Sequence, residues 1–274
     1  MPFFEVDDQT RLFYTVDGNG PPLLLIHGWG CDSHDWSHQI PAFATDHRVI
    51  AADNRGHGRS TGSTGFEPRI FAADLAALLE KLDSGPAVVV GHSLGAAIGS
   101  VLAVEYRHLV SALVAIDPAY GLGPVEEQTL APVFKLTSTP GDVDAIAELF
   151  PALSLGSTPA HLTTWHRRRA LGTPNDVIRQ TFTRAYLAED QICLRPAATR
   201  YFANRICPVL AIYRIKRSES AGWEQSIAKT PLDEVHVLES GHWIHQERPD
   251  EVNAIIRRWM TARDGAHKPG PSPA

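Results

Sequence analysis

The chain has 274 residues, of which 43% are hydrophobic and 20% charged, and its formal net charge is −6. This composition excludes a coiled coil and a globally disordered chain, and the acidic balance offers no basic field for nucleic acid or an anionic membrane surface. The length allows one large domain or two small ones and is ample for a sizeable core.

Three cysteines, Cys31, Cys193 and Cys207, are scattered and form no CxxC pair. A disulfide framework and a cysteine zinc site are therefore not expected, and a reducing, cytoplasmic location is. The first nine residues carry Glu5, Asp7 and Asp8 without a long apolar run, which is unlike a signal or transit peptide. No stretch approaches the roughly 20 apolar residues of a membrane-spanning helix.

In chain order, Leu12–Val16 reads as an edge strand, and Leu23–Ile26 and Arg48–Ala52 as buried strands. Residues 66–82 carry Ile70, Leu75, Leu78, Leu79 and Leu82 at helical spacing. Ala87–Val90 is another buried strand, Leu94–Val104 a buried helix and Val110–Ile116 a further strand. Strands alternating with helices imply β-α-β units, a parallel sheet and helices on both of its faces. From Leu122 to about Arg200 the strand rhythm stops. Helical patches at 143–150, 160–171 and 177–187 are punctuated by Pro140, Pro151, Pro159 and Pro174. Strands resume at Pro208–Tyr213 and Asp233–Leu238, and Pro249–Met260 reads as a closing helix with proline in its first turn. The expected organisation is a core of residues 1–121 and 201–264, an inserted helical cap at 122–200 and a Pro/Gly-rich disordered tail at 265–274.

The strongest chemical signal is Gly91-His92-Ser93-Leu94-Gly95, a G-x-S-x-G turn between a buried strand and a helix. The turn is too tight for side chains at either glycine, and the helix start directs its positive end at the serine. Ser93 needs a base to become a nucleophile. His242, on the loop directly after the last strand, is the candidate, ahead of His245.

Together with His27-Gly28-Trp29-Gly30, the Asp53–Ser60 block DNRGHGRS and the Gly241-His242 pair, these motifs resemble the α/β-hydrolase superfamily over nearly the whole chain. The resemblance implies a mostly parallel eight-stranded sheet with helices on both faces and a helical cap after the sixth strand. It also implies a catalytic triad. Most members carry the acid after the seventh strand in a Y-G-x-x-D-like pattern, but here Arg217 stands at that place. Two acids remain. Asp117 ends the sixth strand, where some dehalogenases and lactonases of the family keep theirs, and is the expected acid; Glu219, two positions beyond Arg217, is the alternative. The family pattern further implies an oxyanion hole from the backbone N–H groups of Trp29 and Leu94, and a structural role for the 53–60 block.

His27, Trp36, Tyr120, Phe150 and Trp165 are candidate substrate contacts, each with core packing as the alternative. His34 and His38, four apart, would share a helical face, but no third ligand is apparent, so no metal and no cofactor is expected. Of Arg167–Arg169, three consecutive residues cannot share one face, so most of the triplet is expected to be solvated. The expected activity is hydrolysis of a carboxylic ester or lactone of a medium-sized, apolar or aromatic molecule. Haloalkane dehalogenases and epoxide hydrolases of the family put aspartate where Ser93 stands. The rival readings are a cofactor-free dioxygenase or a C–C bond hydrolase on the same fold, and a non-enzymatic ligand receptor. The expected partner is the small-molecule substrate; a homodimer stays open.

Overall fold

The computed structural model describes residues 3–138 and 143–266. Eight strands, β1 (Phe3–Glu5), β2 (Arg11–Asp17), β3 (Pro22–Ile26), β4 (Arg48–Ala52), β5 (Ala87–His92), β6 (Val110–Ile116), β7 (Val209–Arg214) and β8 (Glu234–Leu238), form one sheet in the order β1-β2-β4-β3-β5-β6-β7-β8. β1 and β2, and β2 and β4, pair antiparallel, whereas every pairing from β4 to β8 is parallel. The edge on that side is β1, not the strand read at Leu12–Val16, because Phe3–Glu5 pairs outside it. β1 is too short to give a periodic signal in the sequence.

The uninterrupted apolar run of β5 is buried at every position because helices cover both faces. On one face lie α2 (Pro68–Lys81) and α3 (Leu94–Glu105), whose Phe71, Leu75, Leu79, Ile98 and Val101 enter the larger core. On the other lie α1 (Gln39–Phe43) and α12 (Pro249–Ala266), which contribute Phe43, Ile256, Trp259 and Met260 to a second core. α12 runs six residues past the expected end at Met260, since no proline intervenes before Pro269. Residues 265 and 266 therefore belong to a helix, not to a disordered tail. The rest of that tail, and Pro140, lie outside the described residues.

Between β6 and β7 the described chain is helical: α4 (Pro124–Thr129), α5 (Ala131–Ser138), α6 (Val143–Ala147), α7 (Ala160–Gly172), α8 (Asn175–Tyr186) and α9 (Ala197–Phe202). The boundary expected at residue 200 falls inside α9, whose Ala198 and Phe202 join the main core. Two short helices complete the chain, α10 (Ser218–Ser226) after β7 and α11 (Ile244–Glu247) after β8.

Candidate active site

Four strand ends supply the site. Ser93 follows β5 with φ 54° and ψ −117°, a left-handed conformation that costs a non-glycine residue energy and holds its side chain clear of the turn. The flanking glycines are sterically required. A Cβ at Gly91 would lie 2.3 Å from the Gly95 carbonyl oxygen, and one at Gly95 would lie 2.1 Å from that of Ile26. The chain after β3 runs directly alongside: a Cβ at Gly28 would sit 3.2 Å from Ser93 Cβ. The turn after β3 thus passes beside Ser93 at Gly28, and Leu94 is the first residue of α3.

Asp117 is the residue after β6, fully buried, with φ 38°. β5 and β6 are paired neighbours in register His92↔Ile116, and the Ser93 N–H donates to the Ile116 carbonyl at 2.9 Å. His242, on the β8 exit loop, donates from Nδ1 to Asp117 Oδ2 at 2.5 Å. Arg214 Nε lies 3.2 Å from the same oxygen, and the Arg214 backbone N–H donates to Oδ1 at 3.3 Å. Burial by itself would raise the Asp117 pKa, but Arg214, the His242 hydrogen bond and Arg217 hold this carboxyl well below the usual range. Burial lowers the His242 pKa, and the Asp117 hydrogen bond offsets that only in part.

The alternative acid, Glu219, is exposed and accepts from Arg195 Nη2 at 2.9 Å. It takes a surface ion pair and does not meet the imidazole. Arg217, standing where the family usually has its acid, is buried instead. Its guanidinium donates to the Pro118 carbonyl, to the Tyr120 carbonyl at 3.2 Å and to Ser220 Oγ at 3.0 Å. The basic residue thus braces the loop on which the carboxylate now sits.

Among the expected substrate contacts, Phe150 lies beside the site, its ring 5.5 Å from Trp29 and 5.9 Å from Trp243. The side chains of the other four are engaged in loop ties, core packing or a separate groove. His27 is fully buried and ties two loops, bonding the Gly28 carbonyl through Nδ1 and accepting the Asn54 N–H at Nε2. Trp36 is a fully buried member of the second core. Tyr120 packs on Phe202 and accepts from Arg205 Nη1 at 2.9 Å. Trp165 is 41% exposed and stacks on His34 over a groove of about 1020 Å³ between α7 and the loops after β3 and β4. Neither Ser93 nor His242 lines that groove.

His34 lies in a 3₁₀ turn, Ser33–Trp36, and His38 precedes α1, so the two share no helix. The arginine triplet divides three ways. Arg167 pairs with Glu148, Arg168 lines the groove, and Arg169 is drawn inward to Asp32 and Asp35. In the 53–60 block, both Asp53 oxygens accept loop N–H groups and Arg55 grips Asp74 with two 2.6 Å bonds, an arrangement that holds the β4 exit loop.

A buried polar cluster behind His242 has no sequence signature. Asp35 accepts from Arg169 and, at 2.7 Å, from Gln246, both at Oδ1. His92 donates from Nε2 to the His242 carbonyl at 2.9 Å, and its ring lies 4.6 Å from those of both His242 and His245. Asp35, His92 and His245 are all buried, with three ligand-type atoms within 4.8 Å of one another. Burial pushes the His245 pKa down to about 3 and keeps His92 well below its ordinary value. His166 of α7 stacks on Trp243 at 3.6 Å beside this cluster.

A family model described as the alpha/beta hydrolase fold matches residues 21–191, well over half of the chain. The chain belongs to the α/β-hydrolase family. It is 38% identical over 113 residues to a soluble epoxide hydrolase of Corynebacterium sp. (strain C12), a match covering 41% of this chain and 40% of that protein. Such matches to curated relatives therefore span about two fifths of their length. A pyrrolizixenacetamide deacetylase of Xenorhabdus hominickii is 26% identical over 264 residues, covering 93% of this chain and 97% of the deacetylase. Among solved structures, Est816, described as an N-acyl homoserine lactone degrading enzyme, shares the fold with a TM-score of 0.78 at 23% identity, covering 93% of this chain and 99% of its own. Among the described residues of this α/β hydrolase, no helix is long and apolar enough to cross a membrane.

Proposed function

We propose that this α/β hydrolase is a serine hydrolase of carboxylic esters or lactones of medium-sized, apolar or aromatic molecules. The observation that carries this reading is the 2.5 Å Asp117–His242 hydrogen bond, formed one strand away from the left-handed Ser93 turn. In the proposed reaction His242 Nε2 takes the Ser93 hydroxyl proton as Oγ bonds to the substrate carbonyl carbon. The carbonyl electron pair moves to oxygen, where the Trp29 and Leu94 N–H groups receive it. Collapse breaks the bond to the leaving alkoxide, which collects the proton from His242. Water then repeats the sequence on the acyl-enzyme: His242 removes its proton, and Ser93 leaves with that proton restored. Asp117 keeps Nδ1 protonated and stabilises the imidazolium.

The helices between β6 and β7 act in this reading as a cap that sets specificity. Its support is the set of ties they make to the site: Trp29 Nε1 donates to the Ile178 carbonyl at 2.8 Å, and the His242 N–H donates to that of Leu153 at 3.0 Å. The likeness to a deacetylase and to a lactone-degrading enzyme agrees with an acyl substrate.

The test is covalent labelling with a fluorophosphonate, followed by a panel of esters and lactones against wild type and Ser93→Ala. Labelling at Ser93 and loss of at least about a thousandfold of turnover in the variant are expected. Unchanged turnover in Ser93→Ala overturns the reading, and so does oxygen consumption without labelling, which marks a cofactor-free dioxygenase.

A further inference from the structure

We propose that Asp35, His92 and His245 form a buried binding site for a divalent transition metal ion, Zn²⁺ by donor chemistry, behind the candidate triad.

The three side chains come from the 33–36 turn, the end of β5 and α11, and their ligand-type atoms lie within 4.8 Å of one another. Buried polar atoms in a folded protein normally have partners, so a group of unpartnered ones calls for an explanation. Here Asp35 Oδ2, His92 Nδ1 and both ring nitrogens of His245 are buried and unpartnered. They are the free ligand atoms these three residues have to offer a metal. Arg169 and Gln246 occupy Asp35 Oδ1 and leave Oδ2 free. His92 spends its Nε2 proton on the His242 carbonyl, which leaves Nδ1 as a bare lone pair. A ligating histidine typically has this arrangement, one nitrogen on the metal and the other donating to a backbone carbonyl or carboxylate.

Two imidazoles and one carboxylate suit Zn²⁺ and its transition-metal neighbours. Mg²⁺ and Ca²⁺ prefer all-oxygen cages. Bond lengths of about 2.0–2.2 Å in a tetrahedron call for ligand separations of about 3.4 Å. Modest inward movement of the three side chains from the observed spacing reaches this, and water completes the fourth position. The ion would pin the turn after β3, the nucleophile turn and the segment after His242 to one another. It takes no part in the acyl chemistry proposed above, so its test does not depend on activity.

Full-length protein is stripped with a chelator, loaded with Zn²⁺ or Co²⁺, and passed through a desalting column. Retained metal and the visible Co²⁺ spectrum are then measured. The expected result is one equivalent per chain, with Co²⁺ bands of a low-coordinate N/O site. Affinity should fall at least about tenfold in His245→Gln and stay unchanged in His161→Gln, which alters an exposed histidine. Metal that washes off the wild type overturns the site and assigns these atoms to buried water. Retention that survives in a folded His245→Gln overturns it as well, by placing the ion elsewhere. If His245→Gln does not fold, the wild-type stoichiometry and spectrum decide the question.

Discussion

Asp117 and His242, 125 residues apart in sequence, meet through a 2.5 Å hydrogen bond between Oδ2 and Nδ1 at the carboxyl end of the sheet. In the proposed mechanism this bond fixes the imidazole tautomer and shares the positive charge formed in the transition state. Asp117→Asn keeps the shape and removes the charge. It should lower ester turnover and fluorophosphonate labelling by about a thousandfold or more. Glu219→Gln, at the surface ion pair with Arg195, should leave both rates at the wild-type level. A loss in the second variant rather than the first would reassign the acid.

Arg217 braces the loop that carries that acid. Its guanidinium holds the carbonyls of Pro118 and Tyr120 within the loop that follows Asp117. Arg217→Leu removes these donors while the carbonyls stay buried. A stability loss of about 1–3 kcal/mol is expected from denaturant titration, together with slower labelling of Ser93.

The nucleophile turn tolerates no added carbon. In Gly95→Ala the new Cβ would meet the backbone oxygens of Ile26 and His27 at 2.1 and 2.7 Å, and backbone cannot swing aside as a side chain does. A loss of about 1–3 kcal/mol or more is expected. Gly172→Ala, where nothing lies within 4 Å, should be neutral or stabilising by up to about 1 kcal/mol. Melting curves of the two variants check both outcomes.

Acid should unfold the protein partly through His57. This ring is buried, and burial lowers its pKa from 6.5 to about 3. The unfolded chain therefore binds a proton that the folded chain refuses. The contribution is fully present above pH 6.5 and is lost as pH falls from there toward 3, at about 1.4 kcal/mol per pH unit for one proton. His57→Asn should show a shallower decline by up to one proton over that window in stability measured against pH. Equal slopes would show that His57 does not couple to folding.

Much of the architecture is legible in the sequence. Apolar runs such as Leu23–Ile26 and Ala87–Val90 are bounded by turn residues and separated by helical stripes, and local periodicity of this kind is what a sequence displays. The short elements were not legible, because β1, α9 and α11 are each too brief to complete a pattern. The pocket was only partly legible: Trp36 and Phe150 are both large aromatics in apolar surroundings, yet Trp36 belongs to the core under α12 and Phe150 to the cluster against Trp243.

By itself the sequence determined the fold class, the serine turn and the late histidine, since each rests on residues adjacent in the chain. The tertiary structure decided which carboxylate meets His242. Asp117 and Glu219 both follow strands of the same sheet, and only the parallel β6–β7–β8 packing turns one toward the imidazole and leaves the other in water. It also decided that residues 35, 92 and 245 share one buried cluster. Their segments are joined by sheet order and loop closure, for which a linear pattern of hydrophobicity carries no record.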